Sequence, residues 1–77
     1  MVRFDALQTF VAVAEARGFA IAARRLGISP SAATRLVAGL EEHLATRLFQ
    51  RTTRSVSLTD AGRRYLDRAR KLSLIHI

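Results

Sequence analysis

Arginine dominates the chemistry this sequence can offer. Twelve of its thirteen cationic side chains are Arg, against six Asp/Glu, giving a net charge of +7 over 77 residues. A guanidinium stays charged, presents a planar fork of donors, grips phosphate oxygens in pairs and stacks on bases. Such an excess of one sign opposes compaction through self-repulsion. It implies a polyanionic partner, either nucleic acid or an anionic membrane surface, unless it is no more than a basic solvated exterior. Catalysis is poorly served. There is no cysteine, His43 and His76 stand far apart, and the acids are scattered. No zinc set, phosphate-binding glycine loop or nucleophile elbow can be assembled from these residues. The expectation is a non-enzyme without cofactor or metal.

The charge is uneven along the chain. Residues 1–28 carry a net +2 and residues 29–50 a net of zero, whereas residues 51–71 carry +5. Arg51, Arg54, Arg63, Arg64, Arg68, Arg70 and Lys71 supply that last block. No apolar run approaches the roughly 18 residues a membrane span needs. The N-terminus lacks a short apolar core followed by a small-residue cleavage site. The chain is therefore expected to be cytoplasmic and to engage no membrane.

The elements that must position these side chains are mostly helical. Asp5 with Gln8 forms a capping-box pattern that opens a helix over about 5–17. Leu7, Phe10, Val11 and Ala14 form its apolar face, and Gly18 is its stop. A short second helix runs over about 20–26, with Ile21, Ala22, Ala23 and Leu26 apolar and Gly27 ending it. Ile28 can tuck back into the core. Ser29 before Pro30 is a start signal: a hydroxyl cap, then proline where its missing N–H costs nothing. The third helix, 30–44, carries an apolar stripe at Ala33, Leu36, Val37, Leu40 and Leu44. Its opposite face holds Thr34, Arg35, Ala38, Glu41 and Glu42, and Gly39 weakens its interior by about 1 kcal/mol. Two short alternating runs within 48–58 predict a hairpin around Thr52-Thr53-Arg54. Thr59 then caps a fourth helix over about 60–71, with Ala61, Tyr65, Leu66 and Ala69 inward. Tyr65 and the phenylalanines read as core residues.

Two short helices joined by a tight glycine turn, at 20–26 and 30–44, form a helix-turn-helix pattern. Its second helix would offer N-terminal residues to a major groove, and the hairpin would lie beside the phosphate backbone as a wing. Three-helix bundles that touch no DNA share this periodicity, so the net charge is what favours nucleic acid.

Specific segments carry the pattern further. Leu7-Gln8-Thr9-Phe10 with Val13 and Glu15 is followed by Ala22-Ala23-Arg24-Arg25-Leu26-Gly27, Ser29 to Arg35, and Leu40-Glu41-Glu42-His43-Leu44. Arg47-Leu48-Phe49-Gln50-Arg51-Thr52-Thr53-Arg54 then runs into Val56-Ser57-Leu58-Thr59-Asp60-Ala61-Gly62. From Phe4 to Leu66, without gaps, the chain resembles the DNA-binding domain of LysR-type transcriptional regulators. The resemblance implies a mainly α, winged helix-turn-helix fold: a three-helix core, a small two-stranded wing and the start of a linker helix. It divides the chain into a DNA-binding domain over 1–59, with the helix-turn-helix at about 18–37 and the wing at about 48–58, and a dimerisation linker from 60 to 71.

The candidate DNA-binding set is Ser29, Pro30, Ser31, Thr34, Arg35, Arg51, Thr53 and Arg54, three of which the resemblance assigns directly. Thr34 and Arg35 match residues that contact bases and phosphates, and Arg54 matches one that reaches the minor groove or its edge. The chemistry is compatible. An Arg fork takes guanine O6 and N7 together, while Thr34 can bond a phosphate or touch a thymine methyl. Amides at the Ser29-Pro30 helix start favour a phosphate. Arg51 is either a wing contact or the partner of an acid. The basic face of the fourth helix is either a flanking backbone contact or simply solvated.

Some positions depart from the family pattern. Pro30 stands where Gln is usual and Ser31 where Pro is usual, which removes an amide base reader. Leu36 replaces a commonly polar residue, so it packs on the core or approaches a thymine methyl. Ala45 takes the usual glycine stop of the third helix, where positive φ costs about 1 kcal/mol. Ala20 replaces a hydroxyl cap on the second helix, a loss of about 1 kcal/mol.

The resemblance implies duplex operator DNA as partner, a second copy bound through the fourth helix, and a small-molecule inducer held by an effector domain in the full-length protein. Half-sites would lie about 10 bp apart or a multiple of that. Leu72-Ser73-Leu74-Ile75-His76-Ile77 matches one reading frame of a transposase end adapter used in sequencing libraries. Residues 72–77 are accordingly expected to be a non-native tail and the gene to run on. The shortened linker implies weak dimerisation and mostly salt-sensitive, low-specificity binding by this chain on its own. A nonspecific nucleoid-type DNA binder and a winged-helix protein-interaction module are the alternatives.

Overall fold

The computed structural model describes the backbone of residues 4–51 and 56–75 and the side chains of residues 5–50 and 56–71. Its order is α1 (Phe4–Ala16), α2 (Phe19–Leu26), α3 (Pro30–Leu44), β1 (Phe49–Arg51), β2 (Val56–Leu58) and α4 (Asp60–Ile75). The strands are antiparallel, with Phe49 opposite Leu58, Gln50 opposite Ser57 and Arg51 opposite Val56. This is the mainly helical, winged arrangement expected.

The helix starts and stops follow from local chemistry, with three corrections. Asp5 lies inside the first turn of α1 rather than at its cap, since the helix already includes Phe4. Gly18 is not the left-handed stop: Arg17 adopts that conformation at φ 58°. Gly18 is extended and caps α2 without a side-chain bond, so Ala20 falls within the helix and no cap is lost there. Its carbonyl accepts the Ala22 N–H at 3.3 Å, which starts the helix one residue before the predicted position. At Gly27 the expected stop is observed, with φ 72°. The Ile28 N–H there donates to the Ala23 carbonyl at 3.0 Å, closing the turn that leads to α3. Ala45 ends α3 in the same way at φ 52°, with the Thr46 N–H donating to the Glu41 carbonyl at 3.0 Å.

The core is built where these elements meet. Ala6, Phe10 and Val13 form the buried stripe of α1, one step round from the predicted face, with Leu7, Val11 and Ala14 at its edge. Ala22, Val37, Leu40, Leu48, Phe49 and Leu66 complete the cluster, and Leu36 packs against it. The Phe10 ring lies 5.3 Å from Phe49 and 5.4 Å from Tyr65, and Phe19 lies 6.0 Å from Phe49. One aromatic group thus ties together α1, α2, the wing and α4. Each fully buried Phe contributes about 2–3 kcal/mol through removal from water. Ile21 and Leu26, read as apolar positions of α2, are instead exposed at 48% and 36%. Past Phe19, only the small Ala22 and Ala23 are buried, because α2 lies close against α1 and α3.

Helix α4 runs on to Ile75 rather than ending near 71, since nothing from Leu72 to Ile75 breaks a helix. It joins α1 through an ion pair of Arg70 with Glu15 at 3.7 Å, half-exposed on both sides and hence a weak tie. Among the described residues, no helix is long and apolar enough to cross a membrane.

Candidate nucleic-acid interface

The start of α3 is built by its cap. Ser29 Oγ accepts the Ala32 N–H at 3.1 Å and the Ser29 carbonyl accepts the Ala33 N–H at 3.0 Å. Pro30 has no N–H to offer. Of the first-turn amides this leaves Ser31 N–H for an outside acceptor, at the positive end of the helix dipole. Ser29, Pro30 and Ser31 are all exposed there.

One turn further, Arg35 is exposed and Thr34 half-buried. The Thr34 hydroxyl donates to the Pro30 carbonyl at 3.0 Å. A phosphate oxygen can only accept, so a bond from Thr34 to DNA phosphate would first have to break that contact. Its methyl group carries no such cost, which favours the thymine-methyl role of the two considered. Arg35 has no comparable restraint on its fork. Leu36 is half-buried against the core, the first of its two readings.

The wing is rooted at β1 and β2, but its tip, with Thr53 and Arg54, lies outside the described residues, as does the Arg51 side chain. The structure therefore brings Ser29, Pro30, Ser31 and Arg35 together, exposed, at the start of α3, with Thr34 half-buried among them. For Arg51 it fixes only a place in the strand paired with Val56. Arg63, Arg64, Arg68, Arg70 and Lys71 are exposed along α4, with Arg63 3.7 Å from Asp60 one turn earlier. On that helix burial pushes the Tyr65 hydroxyl pKa above its usual 10.0.

The root of the wing holds a residue that sequence reasoning assigned to the outer face of α3. Glu41 Oε2 accepts the N–H of Leu48 at 2.8 Å and of Phe49 at 3.2 Å. On the other side Thr59 Oγ1 donates to the Arg47 carbonyl at 2.6 Å and accepts the Gly62 N–H at 2.9 Å. Thr59 N–H donates to the Leu48 carbonyl at 3.0 Å. Periodicity carries no signal for Glu41, because its partners are backbone groups brought back by the turn at Ala45.

Comparison with known proteins places this arrangement. The description "Bacterial regulatory helix-turn-helix protein, lysR family" matches residues 4–63. The chain is 52% identical over 66 residues to the HTH-type transcriptional regulator TfdT of Cupriavidus pinatubonensis, covering 86% of this chain and 29% of that protein. It is 46% identical over 71 residues to the regulator ClcR of Pseudomonas putida, covering 92% and 24%. The chain thus spans less than a third of the length of these relatives. Among solved structures it superposes on that titled "CbnR_DBD-DNA complex" with a TM-score of 0.92 at 39% identity, covering 96% of this chain and 85% of that one. Against "BenM_DBD/catB site 1 DNA Complex" the TM-score is 0.87 at 36% identity, over 91% and 78%. With the family description spanning both helices of the helix-turn-helix and both strands of the wing, the chain belongs to the LysR family of bacterial regulatory helix-turn-helix proteins.

Proposed function

We propose that this chain is the operator-reading domain of a cytoplasmic bacterial transcriptional regulator that binds duplex DNA sequence-specifically. The observation that carries this is the cluster at the start of α3, with Ser29, Pro30, Ser31 and Arg35 exposed and Thr34 half-buried, in a winged fold shared with domains solved as DNA complexes. In this reading α3 enters the major groove. Arg35 reads guanine, the Thr34 methyl meets thymine, and Ser31 N–H holds a phosphate. Arg51, Thr53 and Arg54 of the wing take the adjacent backbone and minor groove. The α4 arginines raise affinity without reading bases. The domain extends over 1–59, and α4 from residue 60 begins a helix that pairs two copies. Residues 72–77 are a non-native tail, and the intact protein adds an effector domain for a small-molecule inducer. The chain itself carries out no catalysis.

A gel-shift series over about 50–200 mM salt tests this, with duplexes selected from a random library set against unselected ones. Selected duplexes are expected to bind more tightly, with affinity falling steeply as salt rises. Arg35→Ala should cost about 1–3 kcal/mol on selected duplexes and little on the others. No binding at the lowest salt would exclude the DNA role. Equal affinity for every duplex would leave a nonspecific binder.

A further inference from the structure

We infer that Glu41 is a positioning residue: its carboxylate sets where the wing lands on DNA relative to the reading end of α3. This rests on the DNA-binding reading above. Glu41 lies seven residues after Thr34, two turns along the same helix face and about 10 Å away along the axis. The helix between them is continuous, so the carboxylate moves with the reader as one rigid body. One of its oxygens holds two consecutive backbone N–H groups, those of Leu48 and Phe49. Phe49 opens β1, which is paired in register with β2, from Phe49 opposite Leu58 to Arg51 opposite Val56.

The intervening chain does not supply that constraint. Residues 45–48 belong to no helix or strand, and Ala45 reverses direction in the left-handed region. The opposite side of the root is tied to α4 instead, through Thr59 and through the close approach of Gly62 to the Leu48 carbonyl. Among the described residues, the two N–H···O bonds that Glu41 accepts are thus hydrogen bonds through which the reading helix itself grips the wing. Without them the wing root is held by the buried Leu48 and Phe49 side chains and by its ties to α4, and the offset of its DNA contacts from those of Arg35 is less tightly fixed. A carboxylate suits the place because one charged oxygen can accept both amides. Gln offers a neutral oxygen at the same reach, while Asp is one methylene too short.

The test uses the 77-residue chain, a duplex selected from a random library, and Glu41→Ala, Glu41→Gln and Glu41→Asp. Amide exchange measured by NMR reads the strut directly. Leu48 and Phe49 should exchange roughly tenfold faster or more in Glu41→Ala, the scale of losing a bond to a charged group. On DNA, guanine N7 protection in the major groove should persist in the folded variant. Hydroxyl-radical protection of the flanking backbone by the wing should be lost or displaced, and affinity should fall roughly tenfold. Glu41→Gln should restore most of the footprint and Glu41→Asp should not. A purely structural role weakens every contact in proportion to the unfolded fraction and leaves the footprint of the folded remainder unchanged. That result in Glu41→Ala would overturn the inference. Should Glu41→Ala not fold, a wild-type footprint from Glu41→Asp does the same. Wild-type protein that protects no duplex removes the DNA reading and this role with it, while the exchange rates still show whether Glu41 holds the wing root.

Discussion

Replacing Ala45 by glycine should make this domain more stable, against the usual direction for an alanine-to-glycine change. Ala45 sits at φ 52° and ψ 39°, just past the end of α3. An L-residue pays about 1–2 kcal/mol for that region, since its Cβ crowds the following carbonyl oxygen. Glycine avoids the crowding but loses about 0.4–1 kcal/mol more backbone freedom on folding. The methyl group is exposed, so its removal opens no cavity. Both closing hydrogen bonds, Ala45 N–H to the Glu42 carbonyl at 3.1 Å and Thr46 N–H to the Glu41 carbonyl at 3.0 Å, are backbone bonds that survive. At the middle of those ranges the net gain is about 0.8 kcal/mol. With an unfolding entropy of about 2.1 cal/mol/K per residue, a chain of this length should melt about 5 °C higher. Thermal unfolding followed by circular dichroism, with urea unfolding to check that the m-value is unchanged, measures this directly. Arg17→Gly, at φ 58°, supplies a second instance of the same test. A melting temperature that stays level or falls in Ala45→Gly would refute the reasoning.

Other substitutions probe the wing root and the core. Gly62→Ala should destabilise by about 3 kcal/mol in urea unfolding, because a Cβ there would run into the Leu48 carbonyl oxygen and lie 3.0 Å from the Leu58 side chain. Ser29→Ala should cost about 1 kcal/mol by the same measurement through loss of the bond to Ala32 N–H. Tyr65 gives a pH signature. Its pKa is raised in the folded chain by burial, so its contribution to stability is complete below pH 10 and is lost as pH rises through the folded value. Unfolding measured from pH 8 upward should show stability falling above about 10, and Tyr65→Phe should remove that component.

Where a structural decision is local, the residues announce it. Ser29 and Pro30 start α3, Gly27 stops α2, Thr59 caps α4, and the alternation around 48–58 gives two antiparallel strands; all four are observed, while the turn between the strands lies outside the described residues. Where competition or tertiary contact decides, the pattern misleads. Gly18 is the residue best suited to a left-handed stop, yet Arg17 takes that role because Gly18 is needed extended at the start of α2. Ile21 and Leu26 read as core but are exposed, since the short α2 turns Ala22 and Ala23 inward, with Phe19 at its start on the core. The buried face of α1 runs through Ala6, Phe10 and Val13, which turns Leu7 to its edge. At the site, the exposed reading residues of α3 follow from periodicity, since they fall opposite the apolar stripe. Glu41 does not, because a carboxylate that caps a distant strand looks like any solvated acid until the chain has folded back upon it.

The central claim is that the start of α3 and the wing form the face that meets duplex DNA. Titrating the isotopically labelled chain with a selected duplex and following backbone amide shifts by NMR tests it most directly. The account predicts the largest changes at Ser29 and from Ser31 to Arg35 and across the wing from Phe49 to Leu58, with the Ser31 amide among the most perturbed. Changes confined to α2 and α4, with Ser31 and Arg35 unmoved, would contradict it.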